Sequence, residues 1–255
     1  MKNIVGFQKN SYLYQSTLTI MLKNVNIENI LFLDIETVPR WEDYCKMPEK
    51  FQKLWAHKTQ YLQASKEVTP EEIYERAGIY AEFGKIICIS VAYVRGGGIK
   101  VKSFYGDDEK KLLLEFAQLL NQYYNKEQNN LCAHNGKEFD FPYIARRMLV
   151  NGIEIPEILD IQSKKPWEVK LLDTMEMWKF GDYKNYTSLE LLSALFDIPT
   201  PKDDISGSDV ASVYWKEKDL ARIVTYCQKD VITIVQLFLK YQNKPTISDI
   251  SVMVI

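Results

Sequence analysis

The sequence has few of the residues that bind zinc. Its 255 residues include four cysteines and two histidines, and no two cysteines form a CxxC pair. This scarcity excludes the common zinc patterns. Cys88 and Cys132 lie inside apolar runs, which predicts buried free thiols. Because free thiols persist in reducing compartments, we expect a cytoplasmic protein.

Long apolar runs and a strong net charge are also missing. No run approaches the roughly 18 to 20 residues that a membrane span needs, so we expect no membrane partner. Lysine and arginine (32) nearly balance aspartate and glutamate (34), which leaves a net charge of −2 and no global basic field. Nucleic acid remains a possible partner, because a local groove or bound metal ions can supply positive charge.

The first twenty residues lack the continuous apolar core and the cleavage site of a signal peptide. Met21 then opens a segment that leads into the first clear strand. We therefore predict an extension over residues 1–20 with little structural role, and one domain over residues 21–255. An edge strand over residues 16–21 is the alternative for the end of the extension.

Strand and helix patterns alternate along the remaining chain. The polar and aromatic segment 41–83 is predicted as a helical insertion, and a hairpin is predicted around Gly96–Gly98. A hairpin followed by βα units predicts an α/β fold with a mixed sheet flanked by helices. Ligands in such folds bind beyond the carboxyl ends of the strands. Five strands are predicted, over residues 30–34, 85–94, 99–105, 130–134 and 169–173.

Two carboxylates stand one residue apart at the predicted end of the first strand. Asp34 and Glu36 occur in the stretch ILFLDIETVPR, residues 30–40. Side chains at i and i+2 of a strand point to the same face, so these two would lie side by side. Like charges at that separation repel and raise each other's pKa. The pair is therefore either solvated or held together by a positive charge.

Further acids could join this pair. Asp140 stands at a predicted helix start, and Tyr226 and Asp230 are spaced i and i+4 on a predicted helix. Four carboxylates would form an oxygen cage of the kind that Mg²⁺ and Mn²⁺ prefer. Two such ions can clamp the attacking and leaving oxygens of a phosphodiester. The alternatives are that Asp140 only caps its helix and that Asp173, at the end of the last predicted strand, is only a solvated acid.

Three motifs in this order resemble those of the DEDD 3′→5′ exonuclease superfamily. They are Asp34-Ile-Glu36-Thr37, then Asn135 to Asp140 with Phe139 between them, then Tyr226-x-x-x-Asp230. The chain resembles the stand-alone predicted exonucleases related to the proofreading exonuclease domain of family-B DNA polymerases. The likeness covers about residues 28–242. It implies a ribonuclease H-like fold with a mixed five-stranded sheet flanked by helices, and hydrolysis with two divalent ions, Mg²⁺ or Mn²⁺.

The resemblance also implies roles for single residues. Asp34, Glu36, Asp140 and Asp230 would bind the metal ions, and Tyr226, typical of the tyrosine (DEDDy) subclass, would orient the attacking water. The predicted substrate contacts are Thr37, Asn135 and Phe139, with core packing as the alternative for Phe139. His134 and Asp173 receive no role from the resemblance, and His134 is predicted to be structural.

The expected activity is metal-dependent hydrolysis at the 3′ end of single-stranded DNA. An RNA 3′ exonuclease is one alternative, because the acids do not distinguish the sugar. A non-catalytic nucleic-acid-binding module of the same fold is the other. The sequence does not indicate a protein partner.

Overall fold

The computed structural model of the protein describes residue 22 and residues 25–182, 184, 186–199 and 205–255. The predicted extension, residues 1–20, lies outside this part of the chain, as does the alternative edge strand at residues 16–21. Within the described residues, no helix has both the length and the apolar character needed to cross a membrane.

One mixed sheet forms the centre of the protein, with the strand order β5-β4-β1-β2-β3-β6. β1 runs antiparallel to β2 and β2 antiparallel to β3, whereas the pairs β1–β4, β4–β5 and β3–β6 are parallel. The strands are β1 (Ile30–Pro39), β2 (Gly84–Arg95), β3 (Gly98–Tyr105), β4 (Asn130–Ala133), β5 (Leu171–Asp173) and β6 (Val252–Val254).

Eight α-helices are found in the described residues, together with a π-helix and several 3-10 helices. The π-helix is Val213–Glu217, and the 3-10 helices Tyr44–Lys46 and Tyr74–Ile79 lie between β1 and β2. The α-helices are α1 (Glu49–Lys58), α2 (Gln60–Lys66), α3 (Glu109–Tyr123), α4 (Asp140–Val150), α5 (Thr174–Lys179), α6 (Leu189–Leu195), α7 (Val210–Ser212) and α8 (Leu220–Tyr241).

The predicted α/β class and ribonuclease H-like fold are confirmed: a mixed sheet with helices on both faces. The predicted number of strands is wrong, because β6 adds a sixth strand alongside β3. Three residues are too few to show an alternating pattern, so the sequence did not indicate β6. The predicted hairpin joins β2 and β3, and Gly96 (φ 59°) and Gly97 (φ 78°) supply the left-handed conformation that its tight turn requires.

The two faces of the sheet bury different helices. Leu31, Leu33 and Ile35 of β1 pack with α3 and α4 on one face. Ile30 and Phe32, with the opposite orientation, pack against α8 on the other face. The apolar run at the start of β1 is thus buried on both sides, as expected for a central strand. Asp34 and Glu36 have the orientation of Ile30 and Phe32 and therefore face α8.

Residues 41–83 contain α1, α2 and two 3-10 helices, with an aromatic cluster of their own around the fully buried Trp55. The Trp55 indole N–H donates to the carbonyl of Pro70 at 2.8 Å. On the domain side, the Tyr143 hydroxyl donates to the carbonyl of Gly78 at 2.7 Å. That approach requires glycine at position 84, where a Cβ would lie 2.2 Å from the Tyr143 oxygen.

A buried ion pair joins this segment to α3 and α4. The Arg147 guanidinium donates to both carboxylate oxygens of Glu109, at 2.8 and 2.6 Å, and to the carbonyl of Ala81 at 2.8 Å. Glu109 also accepts from the Ile86 backbone at 2.7 Å. These partners leave only 3% of Arg147 exposed. The pair fixes α4, whose first residue is Asp140, against β2.

Local hydrogen bonds also mark the starts of two helical segments. Thr69 and Glu72 bond to each other reciprocally, and a turn and the 3-10 helix Tyr74–Ile79 follow. Ser188 is the N-cap of α6 and accepts from the Leu191 amide at 3.2 Å. Thr187 contributes its carbonyl to His134.

We predict that Arg147→Ala destabilises the protein strongly. Removing the guanidinium leaves the buried Glu109 without its counter-ion, and breaking a buried pair in this way costs about 3 to 5 kcal/mol. Urea unfolding followed by circular dichroism measures the change. Arg146→Ala is the matched control, because Arg146 is exposed and the expected change is within about 0.5 kcal/mol. Equal stability of the two variants would contradict the role of the pair.

Candidate active site

Asp34 and Glu36 lie in the part of β1 that pairs with only one neighbouring strand. β4 pairs with β1 only over Ile30–Phe32, whereas β2 follows β1 as far as Pro39. The predicted strand end at Asp34 is therefore wrong. The two acids stand in the middle of a longer strand, beside an edge left open by the short β4.

A β-bulge in β2 lies directly opposite these acids. Glu36 pairs with Cys88 and Thr37 pairs with Ile86, so Ile87 is the extra residue. Ile87 and Cys88 consequently both face the α8 side, where they pack with residues of α8 and of the segment before it. Bulges increase strand twist and redirect side chains, and they are frequent next to active sites.

Helix α8 brings the third motif against β1. Its phenol-bearing Tyr226 and the acid Asp230 are one turn apart and hydrogen-bonded to each other. Between them, the Cys227 thiol donates to Asp34, with its sulfur 3.3 Å from Oδ2 and 3.5 Å from the backbone carbonyl oxygen. Ligand atoms of Asp34, Glu36 and Cys227 all lie within 4.8 Å of one another.

Asp140 lies beside the unpaired edge of β1. It is the first residue of α4, and Phe139 occupies the N-cap position. The Asp140 carboxylate accepts hydrogen bonds from its own backbone amide and from the amide of Ile35. The Ile35 contact directs this acid towards β1, so Asp140 does more than stabilise the end of its helix. Its charge acts on both Asp34 and Glu36.

Burial and neighbouring acids raise the pKa of Asp34, Glu36 and Asp140, with Asp173 as the neighbour that acts on Asp140. Burial is the largest cause of the raised pKa of Asp34, followed by the charges of Glu36, Asp230 and Asp140. Burial likewise raises the pKa of Glu36, with Asp230 next. For Asp140, burial raises the pKa to about 7, although two backbone amides oppose it. Within the described part of the chain, no basic side chain is among the groups that shift these three.

This donor set fits hard divalent cations. Carboxylate oxygens are the ligands that Mg²⁺ and Mn²⁺ prefer, and a cation would relieve the repulsion between the acids. Cys227 is the one soft donor in the group. Burial and the neighbouring Cys88 raise the pKa of the Cys227 thiol, which favours a protonated donor to Asp34 over a thiolate ligand.

The turn before α4 is held by an acid that the resemblance did not include. Asp173 accepts from the backbone amides of Asn135 and Lys137, both at 3.0 Å, and also caps α5. Asn135 adopts a left-handed conformation with φ 60°. Its side-chain oxygen is buried and, among the described residues, has no hydrogen-bond partner. The alternative of a solvated Asp173 is wrong, because only 3% of it is exposed.

His134 lies beside this turn and is structural, as predicted. Its Nδ1 is 2.9 Å from the Thr174 hydroxyl and its Nε2 is 2.9 Å from the Thr187 carbonyl oxygen. Burial lowers its pKa, which favours a neutral ring. Both ring nitrogens are occupied by packing partners, so the ring holds the end of β4 next to α5.

Two predicted substrate contacts do not point into the acidic cluster. Thr37 has the orientation of Ile35, and its hydroxyl forms a hydrogen bond with Tyr143 on the α4 face. Phe139 packs against the same Tyr143, with 5.3 Å between ring centroids, and remains half-buried. Core packing, the alternative reading for Phe139, accounts for one side of its ring.

Sequence reasoning missed Cys227 and Asp173 as parts of this site. Asp173 precedes Thr174 at the end of an apolar strand, and this arrangement is typical of an N-cap. Cys227 precedes Asp230 by three residues and therefore shares its helix face. Neither spacing shows that the thiol contacts Asp34, since that contact joins residues 193 positions apart.

In the absence of divalent ions, the free energy of unfolding should fall as the pH rises from about 4 to about 7. Asp140 has a pKa of about 7 in the folded protein and an ordinary value of 3.8. In this window the folded protein keeps a proton that the unfolded chain has released, so rising pH favours unfolding. Asp34 and Glu36, whose pKa values are also raised, add to the same slope.

Urea titrations in EDTA at several pH values measure the free energy of unfolding, which should fall by something on the order of 2 kcal/mol across this window. Asp140→Asn should reduce this fall. The exposed Glu157→Gln is the control and should leave the slope unchanged. Stability that rises with pH in this window would show that the acids are not crowded.

The sequence was compared with known families and structures. Residues 79–247 match a family described as "Predicted 3'-5' exonuclease related to the exonuclease domain of PolB". The match includes Asn135, Asp140, Tyr226 and Asp230 and begins after the acids of β1.

Two solved structures are similar at low identity. The family B DNA polymerase of the archaeon Pyrobaculum calidifontis is 13% identical over 84% of this chain and 27% of its own, with a TM-score of 0.47. The chain thus spans about a quarter of that polymerase. The RNase domain of the yeast Pop2 protein is 13% identical over 81% of this chain and 79% of its own, with a TM-score of 0.37. On the family match, which covers well over half of its length, the chain belongs to the predicted 3′→5′ exonucleases related to the exonuclease domain of PolB.

Proposed function

We propose that the protein removes nucleotides from the 3′ end of single-stranded DNA by metal-dependent hydrolysis. The observation that carries the proposal is the convergence of Asp140 and Asp230, from two separate helices, on Asp34 and Glu36 in the middle of β1. Tyr226 stands in the same group. A non-catalytic binding module would have no need to hold four acids in this repulsive arrangement.

Asp34, Glu36, Asp140 and Asp230 would hold two divalent ions, Mg²⁺ or Mn²⁺. When bound, such ions lower the pKa of a water molecule and stabilise charge on the leaving oxygen. The protein contributes the positions of the oxygens. Cys227 holds Asp34 by its thiol hydrogen bond, and the Ile35 amide holds Asp140.

Tyr226 is assigned the role of orienting the attacking water. Burial, followed by the charge of Asp230, raises the pKa of its phenol above the ordinary value of 10.0. A phenol that keeps its proton at neutral pH is a poor general base. Its task is therefore to orient the attacking water by hydrogen bonding, while its hydroxyl also forms a hydrogen bond with Asp230.

Matched DNA and RNA oligonucleotides with a 5′ label test the substrate and the direction. With Mn²⁺ present, single-stranded DNA should give a ladder that shortens from the 3′ end, and EDTA should stop it. A blunt duplex should be cut more slowly, because opening a terminal pair costs about 1 to 2 kcal/mol. Asp34→Asn should abolish cleavage while leaving the protein folded.

Other outcomes would separate the alternatives. Faster cleavage of RNA than of DNA would favour an RNA 3′ exonuclease. Binding without any cleavage, in Mn²⁺ or Mg²⁺, would favour the non-catalytic module. A product pattern that shortens from the 5′ end, or is unchanged by EDTA, would contradict the proposed reaction.

We predict that Tyr226→Phe slows single-turnover cleavage by roughly tenfold to several hundredfold, as expected for the loss of one positioning contact. Mn²⁺ affinity, measured by titration calorimetry, should change little, whereas Asp230→Ala should weaken it. Tyr241→Phe is the matched control on the same helix, because the Tyr241 hydroxyl has no hydrogen-bond partner among the described residues. A Tyr226→Phe protein as fast as the parent would remove this phenol from the mechanism.

A further inference from the structure

An unusual backbone segment precedes α8. Val213–Glu217 forms a π-helix, and Lys218 follows it in a left-handed conformation with φ 58°. π-Helices are rare in proteins, and those that do occur are often found at functional sites. A left-handed lysine is also uncommon, because its Cβ is crowded there. The local backbone thus adopts two disfavoured conformations in succession, and they place Trp215 and Lys218 next to the end of β1.

Trp215 connects this segment to the strand that carries the first two acids. Its indole N–H donates to the carbonyl of Pro39 at 3.0 Å. Pro39 is the last residue of β1 and lies three residues beyond Glu36, which corresponds to about 10 Å along a strand. The ring is half-buried, so part of it remains accessible to solvent.

Two cations lie over aromatic rings at this end of β1. The Lys218 ammonium is 5.0 Å from the centroid of Trp215, and the Arg40 guanidinium is 5.2 Å from that of Trp41. Both basic side chains are exposed. We call Arg40, Trp41, Trp215 and Lys218 the Trp215 surface.

The acids near the Trp215 surface are already paired with other cations. Glu217 accepts from Arg222 at 2.8 Å, and Glu42 is paired with Lys46. Neither Arg40 nor Lys218 forms an ion pair within the described residues. Both cations are therefore available for an external anion.

Lys85 is half-buried next to this surface and has a different role. Its ammonium donates to the Tyr214 hydroxyl at 2.7 Å, and that hydroxyl donates in turn to Asp107. Lys85 also lies over the Trp215 ring, 5.1 Å from its centroid. Since it is tied into this chain of hydrogen bonds, Lys85 is not counted among the cations of the Trp215 surface.

The negative charge of the protein and of its acidic cluster opposes the binding of a nucleic-acid strand. The chain has a net charge of −2, and the acidic cluster itself is anionic. Phosphates are held mainly by lysine and arginine, and single strands are bound by combining such cations with aromatic rings on which bases stack. The Trp215 surface combines both features about three residues from Glu36.

We propose that the Trp215 surface binds the single-stranded substrate upstream of the nucleotide being removed, with phosphates on Arg40 and Lys218 and a base against an indole. This inference rests on the proposed function for the identity of the strand. It adds a second binding region to the reaction site and makes strand length a determinant of affinity.

Binding of a fluorescent twelve-nucleotide thymidylate strand, followed by anisotropy in Ca²⁺ over a range of salt, tests the proposal. The double variant Arg40→Gln, Lys218→Gln should bind at least tenfold more weakly. Its salt slope, log Kd against log salt, should fall by about 1.4, since each lost phosphate contact contributes about 0.7 on single strands. Lys126→Gln with Lys170→Gln is the matched control, because both lysines precede strands parallel to β1 and therefore lie at the opposite end of the strands, and it should match the parent.

The aromatic part is tested separately. Trp215→Ala should weaken binding by roughly fivefold to a hundredfold, the range expected for one stacked base, and Trp215→Phe should restore most of it. In Mn²⁺, the double cation variant should lose at least tenfold more kcat/KM on the twelve-nucleotide strand than on the p-nitrophenyl ester of thymidine 5′-monophosphate. The ester is too short to reach the surface.

Failure of this inference can be distinguished from failure of the proposed function. A protein that binds through these residues but cleaves nothing in Mn²⁺ would support the surface and contradict the nuclease assignment. Equal affinity and equal salt slopes for parent and double variant would overturn the surface, whatever the activity. The same holds if the parent does not bind the strand. If Trp215→Ala fails to fold, the double cation variant, at two exposed positions, still decides.

Discussion

The crowding of four carboxylates beside β1 is the constraint on which the rest of the site depends. Asp34 and Glu36 share one face of the strand because of its twofold period, and no change of side-chain rotamer can separate them widely. Asp140 and Asp230 then approach from α4 and α8. Such an arrangement costs free energy without a cation, so it survives only because the surrounding core is large enough to tolerate it.

Hydrogen bonds from the scaffold hold two of the acids in place. The Ile35 amide donates to Asp140 and the Cys227 thiol donates to Asp34. Asp173 stabilises the adjacent turn by accepting two backbone amides across it. Neutral donors of this kind fix the directions of the carboxylate oxygens without adding positive charge. A divalent ion is then the natural partner.

The proposed phosphate contacts lie in a different part of the protein from the acidic cluster. The Trp215 surface supplies cations and rings at the end of β1, and the buried Glu109–Arg147 pair anchors the neighbouring segment that follows Trp41. Separation of the anionic centre from the cationic surface allows both to exist in a protein whose total charge is close to zero.

The sequence by itself determined the α/β class, most of the strands and the candidate acids, because these depend on local periodicity and on short spacings. The i, i+2 spacing of Asp34 and Glu36 and the i, i+4 spacing of Tyr226 and Asp230 are properties of single elements. It also predicted a structural His134. Only the tertiary structure decided that β1 continues past Asp34, that β6 joins the sheet and that Arg147 is buried against Glu109. It also placed Thr37 away from the acids, brought the Cys227 thiol to Asp34 and set Trp215 beside Pro39. Each of these depends on contacts between residues far apart in the chain, and the free energy of such contacts is set by packing, which no local pattern encodes.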